Sequence, residues 1–280
     1  MKKILYQDIV EKVAELCISA NYDLGKDVLS AFKDAINKER SEIGKDVLKQ
    51  LIRNADLATS NRVPMCQDTG VAVFIVEYGQ EVFVEGGTLH DAINEGVKKG
   101  YRDGFLRNSI VSHPLERKNT GDNTPAVIHV EFVPGNQLKI MMTAKGGGAE
   151  NMSRLKMLMP SDGIEGVKKF ILETVEEAGP NACPPLVVGI GIGGNFEYCA
   201  YLAKKALFNP IGERSKLPEI AKLEEELIVE INKLGIGPQG YGGTTTALDV
   251  KIEMAPCHIA ALPVAVNLNC HASRHKEAIL

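Results

Sequence analysis

Three cysteines stand far apart in the chain, each in small, polar, turn-forming surroundings. They are Cys66 in Pro64-Met65-Cys66-Gln67-Asp68-Thr69-Gly70, Cys183 in Asn181-Ala182-Cys183-Pro184-Pro185, and Cys270 in Asn267-Leu268-Asn269-Cys270-His271-Ala272-Ser273-Arg274. None belongs to a CxxC pair. Three thiolates are one short of the set that closes an iron–sulfur cubane. If they converge, one iron keeps an open position and can act as a Lewis acid on a bound oxygen.

The remaining cysteines divide by context. Cys17 continues an apolar helical face (Val10, Val13, Ala14, Ile18) and Cys199 lies on another, which marks both as inert core residues. Cys257 sits beside His258 and stays open as a further thiolate. The N-terminus has two lysines, but Asp8, Glu11 and Glu15 follow where a signal peptide needs an apolar run. No apolar stretch reaches the roughly 18 residues of a membrane span. The expected setting is cytoplasmic, where thiols stay reduced and serve metals or catalysis instead of disulfides. A formal charge of −4, with no basic stripe, argues against a nucleic-acid partner. Hydrophobic residues at 44% and charged residues at 24% are those of a globular body with a sizeable core.

The elements that must position these residues follow from periodicity. Residues 7–60 read as helices, with Val10, Val13, Ala14 and Cys17, then Val28, Phe32 and Ile36, then Val47, Leu48, Leu51 and Ile52 on apolar faces. Asp23 and Ser41 are the expected N-caps. Strands are expected at 71–76 and 81–84 with a turn at 78–80, and a helix at 89–101. Residues 126–133 and 137–143 flank Pro134-Gly135-Asn136 and predict a hairpin. Helices near 161–178, 195–208 and 217–234 alternate with strands near 186–190, 246–253 and 261–266. The fold class is therefore α/β in the mixed α+β sense, a single domain over 1–280. It has a helical N-terminal segment to about residue 60 and a mixed-sheet body around a cluster-binding cleft. The end of the chain, with His271, Arg274 and His275, reads as a solvated polar tail.

Gly189-Ile190-Gly191-Ile192-Gly193-Gly194 formally matches GxGxxG, the dinucleotide fingerprint. The acidic residue ending a second strand, required about 20 residues on, is replaced by the turn Asn209-Pro210-Ile211-Gly212. Close strand–helix packing or an anion pocket remains as the reading. Two further clusters, Lys145-Gly146-Gly147-Gly148 and Gly240-Tyr241-Gly242-Gly243-Thr244-Thr245-Thr246, have the backbone freedom of anion-binding nests. With the cysteines, they suggest a small ligand carrying carboxylates.

In combination, Cys66-Gln67-Asp68-Thr69-Gly70, Lys145-Gly146-Gly147-Gly148, Cys183-Pro184-Pro185, the Gly189–Gly194 run and Cys257-His258…Cys270-His271 resemble one family. It is that of the iron–sulfur hydro-lyases, the alpha subunits of class I fumarate hydratase and of L(+)-tartrate dehydratase. The resemblance spans nearly the whole chain. It implies a 4Fe-4S cluster on Cys66, Cys183 and Cys270, with Cys270 chosen over Cys257 for its Asn-Cys-His context. It implies reversible hydration of fumarate to malate, a tricarboxylic acid cycle reaction. By the same resemblance Gln67 is substrate-binding, and Asp68 and His258 are catalytic, together an acid/base pair. Arg107 binds a substrate carboxylate and Gly147 lines the pocket. In single-chain relatives a second domain supplies further residues. This chain is therefore expected to need a separate beta subunit, in an alpha2beta2 assembly with a small dicarboxylate substrate. L(+)-tartrate is the alternative substrate. A non-catalytic scaffold with a closed four-thiolate zinc site of Cys66, Cys183, Cys257 and Cys270 is the alternative from another class.

Overall fold

The computed structural model describes residues 1–280. In chain order the elements are β1 (Lys2–Leu5), α1 (Tyr6–Tyr22), α2 (Lys26–Lys38), α3 (Glu42–Asn61), β2 (Val71–Gly79), β3 (Val82–Glu85), α4 (Leu89–Asp103), β4 (Val127–Val133) and β5 (Leu138–Lys145). Then follow α5 (Gly147–Asn151), β6 (Arg154–Leu158), α6 (Gly163–Ala178), β7 (Leu186–Gly194), α7 (Phe196–Ala206), α8 (Pro218–Lys233), β8 (Ala247–Cys257), β9 (Leu262–Asn269) and β10 (His275–Ile279). The fold is mixed α/β, as the periodicity predicts. The chain forms two compact units. One comprises residues 1–25, 54–147 and 274–280; the other comprises residues 26–53 and 148–273.

In the first unit, four strands run in the order β10-β5-β2-β4. The predicted hairpin is absent. β4 pairs parallel with β2 and β5 pairs antiparallel with it, so β2 lies between the two runs. Burial supplies the reason. Ala72 to Val76 of β2 are all buried, which suits a central strand covered on both faces, whereas β4 alternates between partly buried and exposed residues as an edge strand does. Likewise β3 does not fold back on β2 but pairs parallel with β1. α1 and α4 pack together, and α1 lies over β5 and β10, enclosing a core that includes Ile9, Val13, Phe74, Ile93, Val97 and Ile140.

The expected polar tail is also corrected. β10 pairs antiparallel with β5 from His275 to Ile279, and Arg274 just before it is only 2% exposed. Ser41 caps α3 as expected, its Oγ accepting from Gly44 N–H at 3.1 Å. Asp23 does not cap α2, which begins at Lys26. Its carboxylate instead accepts from the Arg62 guanidinium at 3.1 Å.

The second unit is a three-layer sandwich around the sheet β6-β9-β7-β8. β9 is antiparallel to β6 and β7, while β7 and β8 run parallel. Val264, Val266 and Leu268 of β9 pack with α6 and α8, and the intervening Ala265 packs with Cys199 and Ala203 of α7. That alternation places the helices on opposite faces. The glycine run is part of β7, and its role is close packing. A Cβ on Gly191 would collide with the Cys199 carbonyl of α7, and one on Gly189 with the Ala203 carbonyl. Gly191→Val is accordingly expected to cost at least about 2 kcal/mol through overpacking. Thermal unfolding of the purified variant measures it.

Candidate active site

The first unit holds Cys66, Gln67, Asp68, Arg107 and Gly147, and the structure gathers them around one loop. The segment 66–70 enters β2 through Gly70, where φ is +75° and a Cβ would come within 2.8 Å of the Lys145 backbone, so no side chain fits. Asp68 is half-buried and tied by both oxygens. Oδ1 accepts from Gly70 N–H at 3.0 Å and Oδ2 from Gly147 N–H at 2.8 Å. Each oxygen keeps a second lone pair. Gly147 thus contributes its backbone to Asp68. Gln67 is exposed, with its Oε1 3.4 Å from Cys66 Sγ.

Four residues to which the sequence reading gives no role at the site hold this loop. Arg274 donates from Nη1 to the Asp68 carbonyl at 2.6 Å and to Asn21 Oδ1 at 3.1 Å. Its own carbonyl accepts from Ala144 N–H and Thr143 Oγ1–H, both at 3.0 Å. Tyr101 donates to the Thr69 and Gly70 carbonyls, and burial pushes its phenol well above the ordinary range. Asn123 donates to the Gly70 carbonyl at 3.2 Å. Thr69 Oγ1 accepts from Arg107 N–H at 2.9 Å and donates to the Arg107 carbonyl at 3.1 Å. Arg107 is therefore fixed at its backbone, while its side chain is exposed and in no ion pair.

The second unit holds Cys183, Cys257, His258 and Cys270, and divides them between the two ends of its sheet. Cys183 precedes the start of β7, and Cys270 follows the end of β9. Val187 pairs with Asn269, and His271 N–H donates to the Cys183 carbonyl at 3.2 Å. At the other end, Cys257 closes β8 opposite Gly194, and His258 lies in the turn to β9. The eight residues of β9 rise about 3.3 Å each, so its ends are about 25 Å apart. Cys257 is thus too far from Cys183 for one four-thiolate site within a chain.

The Cys183 loop is braced by residues 237–243. Gln239 donates to the Pro184 carbonyl from its backbone N–H at 2.8 Å and from Nε2 at 2.6 Å. The second glycine cluster already holds a carboxylate from the same unit. Glu39 Oε1 accepts from Arg40, Ser41 and Thr244 N–H at 2.8, 2.9 and 2.8 Å. Burial opposes its charge, but these bonds and one from Thr245 win and hold its carboxyl below the ordinary value.

The donor set fits an iron–sulfur cluster in its chemistry. Cys66 and Cys270 are partly exposed, Cys183 is exposed, all three are in loops, and no cysteine forms a disulfide. Cys17 and Cys199 are fully buried, and burial raises both thiols, which disfavours thiolate ligation. No three His, Cys, Asp or Glu side chains are grouped to hold a single metal ion. A cubane differs in its demand, since each ligated iron takes one thiolate. No helix is long and apolar enough to cross a membrane.

The chain matches known proteins along most of its length. The family profile described as fumarate hydratase (Fumerase) matches residues 10–279. A putative L(+)-tartrate dehydratase subunit alpha of Methanocaldococcus jannaschii is 48% identical over 273 residues, 95% of each chain. The L(+)-tartrate dehydratase subunit alpha of Escherichia coli K12 is 36% identical over 270 residues, 95% of this chain and 88% of that protein. Those matches place the chain among the hydro-lyases. The chain belongs to the fumarate hydratase (Fumerase) family.

Two outcomes are expected from the anchoring contacts. Arg274→Met should lower stability by about 3 kcal/mol, because the Asp68 carbonyl and Asn21 Oδ1 lose a charged donor in a buried place. Urea unfolding measures the loss. The folded-state pKa of Glu39 lies below its unfolded value, so its contribution is present above the ordinary carboxyl range and disappears as pH falls through it. Glu39→Gln should be less stable than the parent at pH 7, with the difference shrinking toward pH 3 in the same assay.

Proposed function

We propose that this chain is the alpha subunit of an iron–sulfur hydro-lyase that interconverts fumarate and malate and works with a separate beta subunit. The observation that carries the reading is the family match over residues 10–279, which takes in both units and all three loop cysteines. Residues 1–280 are accordingly read as one catalytic domain. The relatives' designation as alpha subunits supports the beta partner, and an alpha2beta2 assembly would pair two sites. Open thiols suit a reducing, cytoplasmic setting.

Cys66, Cys183 and Cys270 would hold the 4Fe-4S cluster. When bound, it supplies a Lewis-acidic iron that makes the hydroxyl of a 2-hydroxy diacid a better leaving group. The rest falls to the chain. Arg107 presents a guanidinium fork from a clamped backbone, suited to two parallel bonds with a substrate carboxylate. Gln67 offers an exposed amide beside Cys66. Asp68 is held at both oxygens with lone pairs to spare, and so can accept or return a proton without moving. His258 accepts at Nδ1 from Ala260 N–H at 3.1 Å, which fixes the neutral imidazole with its proton on Nε2. In dehydration the C–H electron pair becomes the new C=C bond as the C–O bond breaks. The carbon-bound proton passes to a base expected from the beta subunit, and the hydroxyl leaves as water with one proton added from the Asp68 carboxyl, whose remaining carboxylate His258 Nε2–H is suited to hold.

L(+)-tartrate is the second reading, favoured by the names of the two relatives. It is the same elimination with one more hydroxyl to recognise.

Anaerobic reconstitution of the chain should yield about four iron and four sulfide per chain, with no stoichiometric zinc. Cys66→Ser, Cys183→Ser and Cys270→Ser should each lose the cluster, while Cys199→Ser keeps it. With the beta subunit, fumarate hydration should exceed tartrate dehydration; the reverse order would establish the second reading. Arg107→Lys should raise KM for the dicarboxylate about tenfold through loss of the fork.

A further inference from the structure

Cys183 is held in a conformation that its residue type disfavours. Its φ of +55° and ψ of +65° are left-handed, where a Cβ crowds the following carbonyl. Such a backbone persists only where its surroundings over-determine it. Part of the restraint is local: Cys183 N–H donates to the Pro180 carbonyl at 3.0 Å, and the Cys183 carbonyl accepts from His271 N–H at 3.2 Å.

The rest comes from residues 239 and 240, which grip the chain on both sides of the cysteine. After it, Gln239 gives the Pro184 carbonyl two donors, its backbone N–H at 2.8 Å and Nε2 at 2.6 Å. Before it, Gly240 lies so close to Pro180 that a Cβ there would come within 2.4 Å of the Pro180 Cβ. Gln239 is itself left-handed, with φ of +51° and ψ of +21°. Two strained non-glycine residues therefore share one small contact, beside a thiol that is exposed.

The loop that carries Gln239 is anchored in turn. Gly242 N–H donates to the Ile236 carbonyl at 2.9 Å, and Gly237 N–H to Thr246 Oγ1 at 3.3 Å. At its far end Thr244 N–H donates to the buried Glu39 carboxylate. A rigid base of this kind lets one side-chain amide fix the direction of an exposed thiol before any ligand arrives.

We infer that Gln239 is a positioning residue for Cys183, holding its backbone in the left-handed state that presents the thiol and so setting how firmly iron is kept there. What Cys183 holds rests on the hydro-lyase reading above; the restraint itself belongs to the bare chain.

Gln239→Ala keeps the backbone N–H and removes the Nε2 donor. In the cluster-free chain, hydrogen exchange at the Cys183 and His271 amides should quicken at least about tenfold, with the Cys66–Gly70 segment unchanged. After anaerobic reconstitution, the variant should release iron to a chelator at least about tenfold faster than the parent. Gln239→Lys, which returns a donor at similar reach, should restore both slow exchange and iron retention. Gln239→Glu, alike in shape but with acceptors only, should restore neither. A role in packing alone would favour Glu over Lys, so the order of the two decides between the roles, even should Gln239→Ala fail to fold. Unchanged exchange in Gln239→Ala, or retention that follows shape instead of the donor, would overturn the inference. A parent chain that takes up no cluster would instead overturn the hydro-lyase reading, and the exchange rates would still decide this one.

Discussion

The geometry of the Cys66–Gly70 loop depends on one buried guanidinium. Arg274 is almost fully enclosed, and its Nη1 group bridges the Asp68 carbonyl and Asn21. Burying a cation is costly unless its donors are used, and Nε here has no acceptor. The arrangement persists because β10 anchors the same residue at its backbone through Ala144 and Thr143. The terminal strand is thus a means of delivering a charge to the loop that bears the first cysteine. Tyr101, Asn123 and Thr69 complete the support, so the loop's three consecutive carbonyls from Asp68 to Gly70 all accept side-chain donors.

The second unit works by a different constraint. Its sheet has two ends, and strand pairing assigns chemistry to each. Cys183 and Cys270 meet because an antiparallel partner brings the end of β9 to the start of β7. His258 is carried away from them because β8 runs parallel to β7 and finishes at its far end. The helices fix the sheet from both sides, α7 against the glycines of β7 and α6 with α8 against the branched side chains opposite.

Carboxylates are managed in the same economical way. Asp68 is oriented by Gly70 and Gly147, and Glu39 by the Thr244 loop and its own flanking residues. In both places glycine-rich backbone reads a negative charge that the chain itself provides. The glycine clusters therefore act first as internal anion holders, which rigidify loops near the cysteines. This differs from direct ligand binding by Gly147 N–H, whose donor is already taken by Asp68.

Much of this was legible in the residues. Periodicity located nearly every helix and the central strands, and the loop contexts of Cys66, Cys183 and Cys270 separated them from the buried Cys17 and Cys199. Short-range signals failed where pairing was decided at long range. The hairpin at Pro134-Gly135-Asn136 does not form because β2, the most apolar strand of its unit, takes the central place and accepts β4 and β5 on either side. The polar tail becomes β10 with a buried arginine, since a charged side chain is buried when distant carbonyls offer it partners, and those carry no local sequence mark. The sequence by itself determined most of the element types, the loop setting of three thiols and the family. Only the tertiary structure decided which residues share a loop and which end of a sheet each one occupies, because strand order and register are set by burial summed over the whole unit.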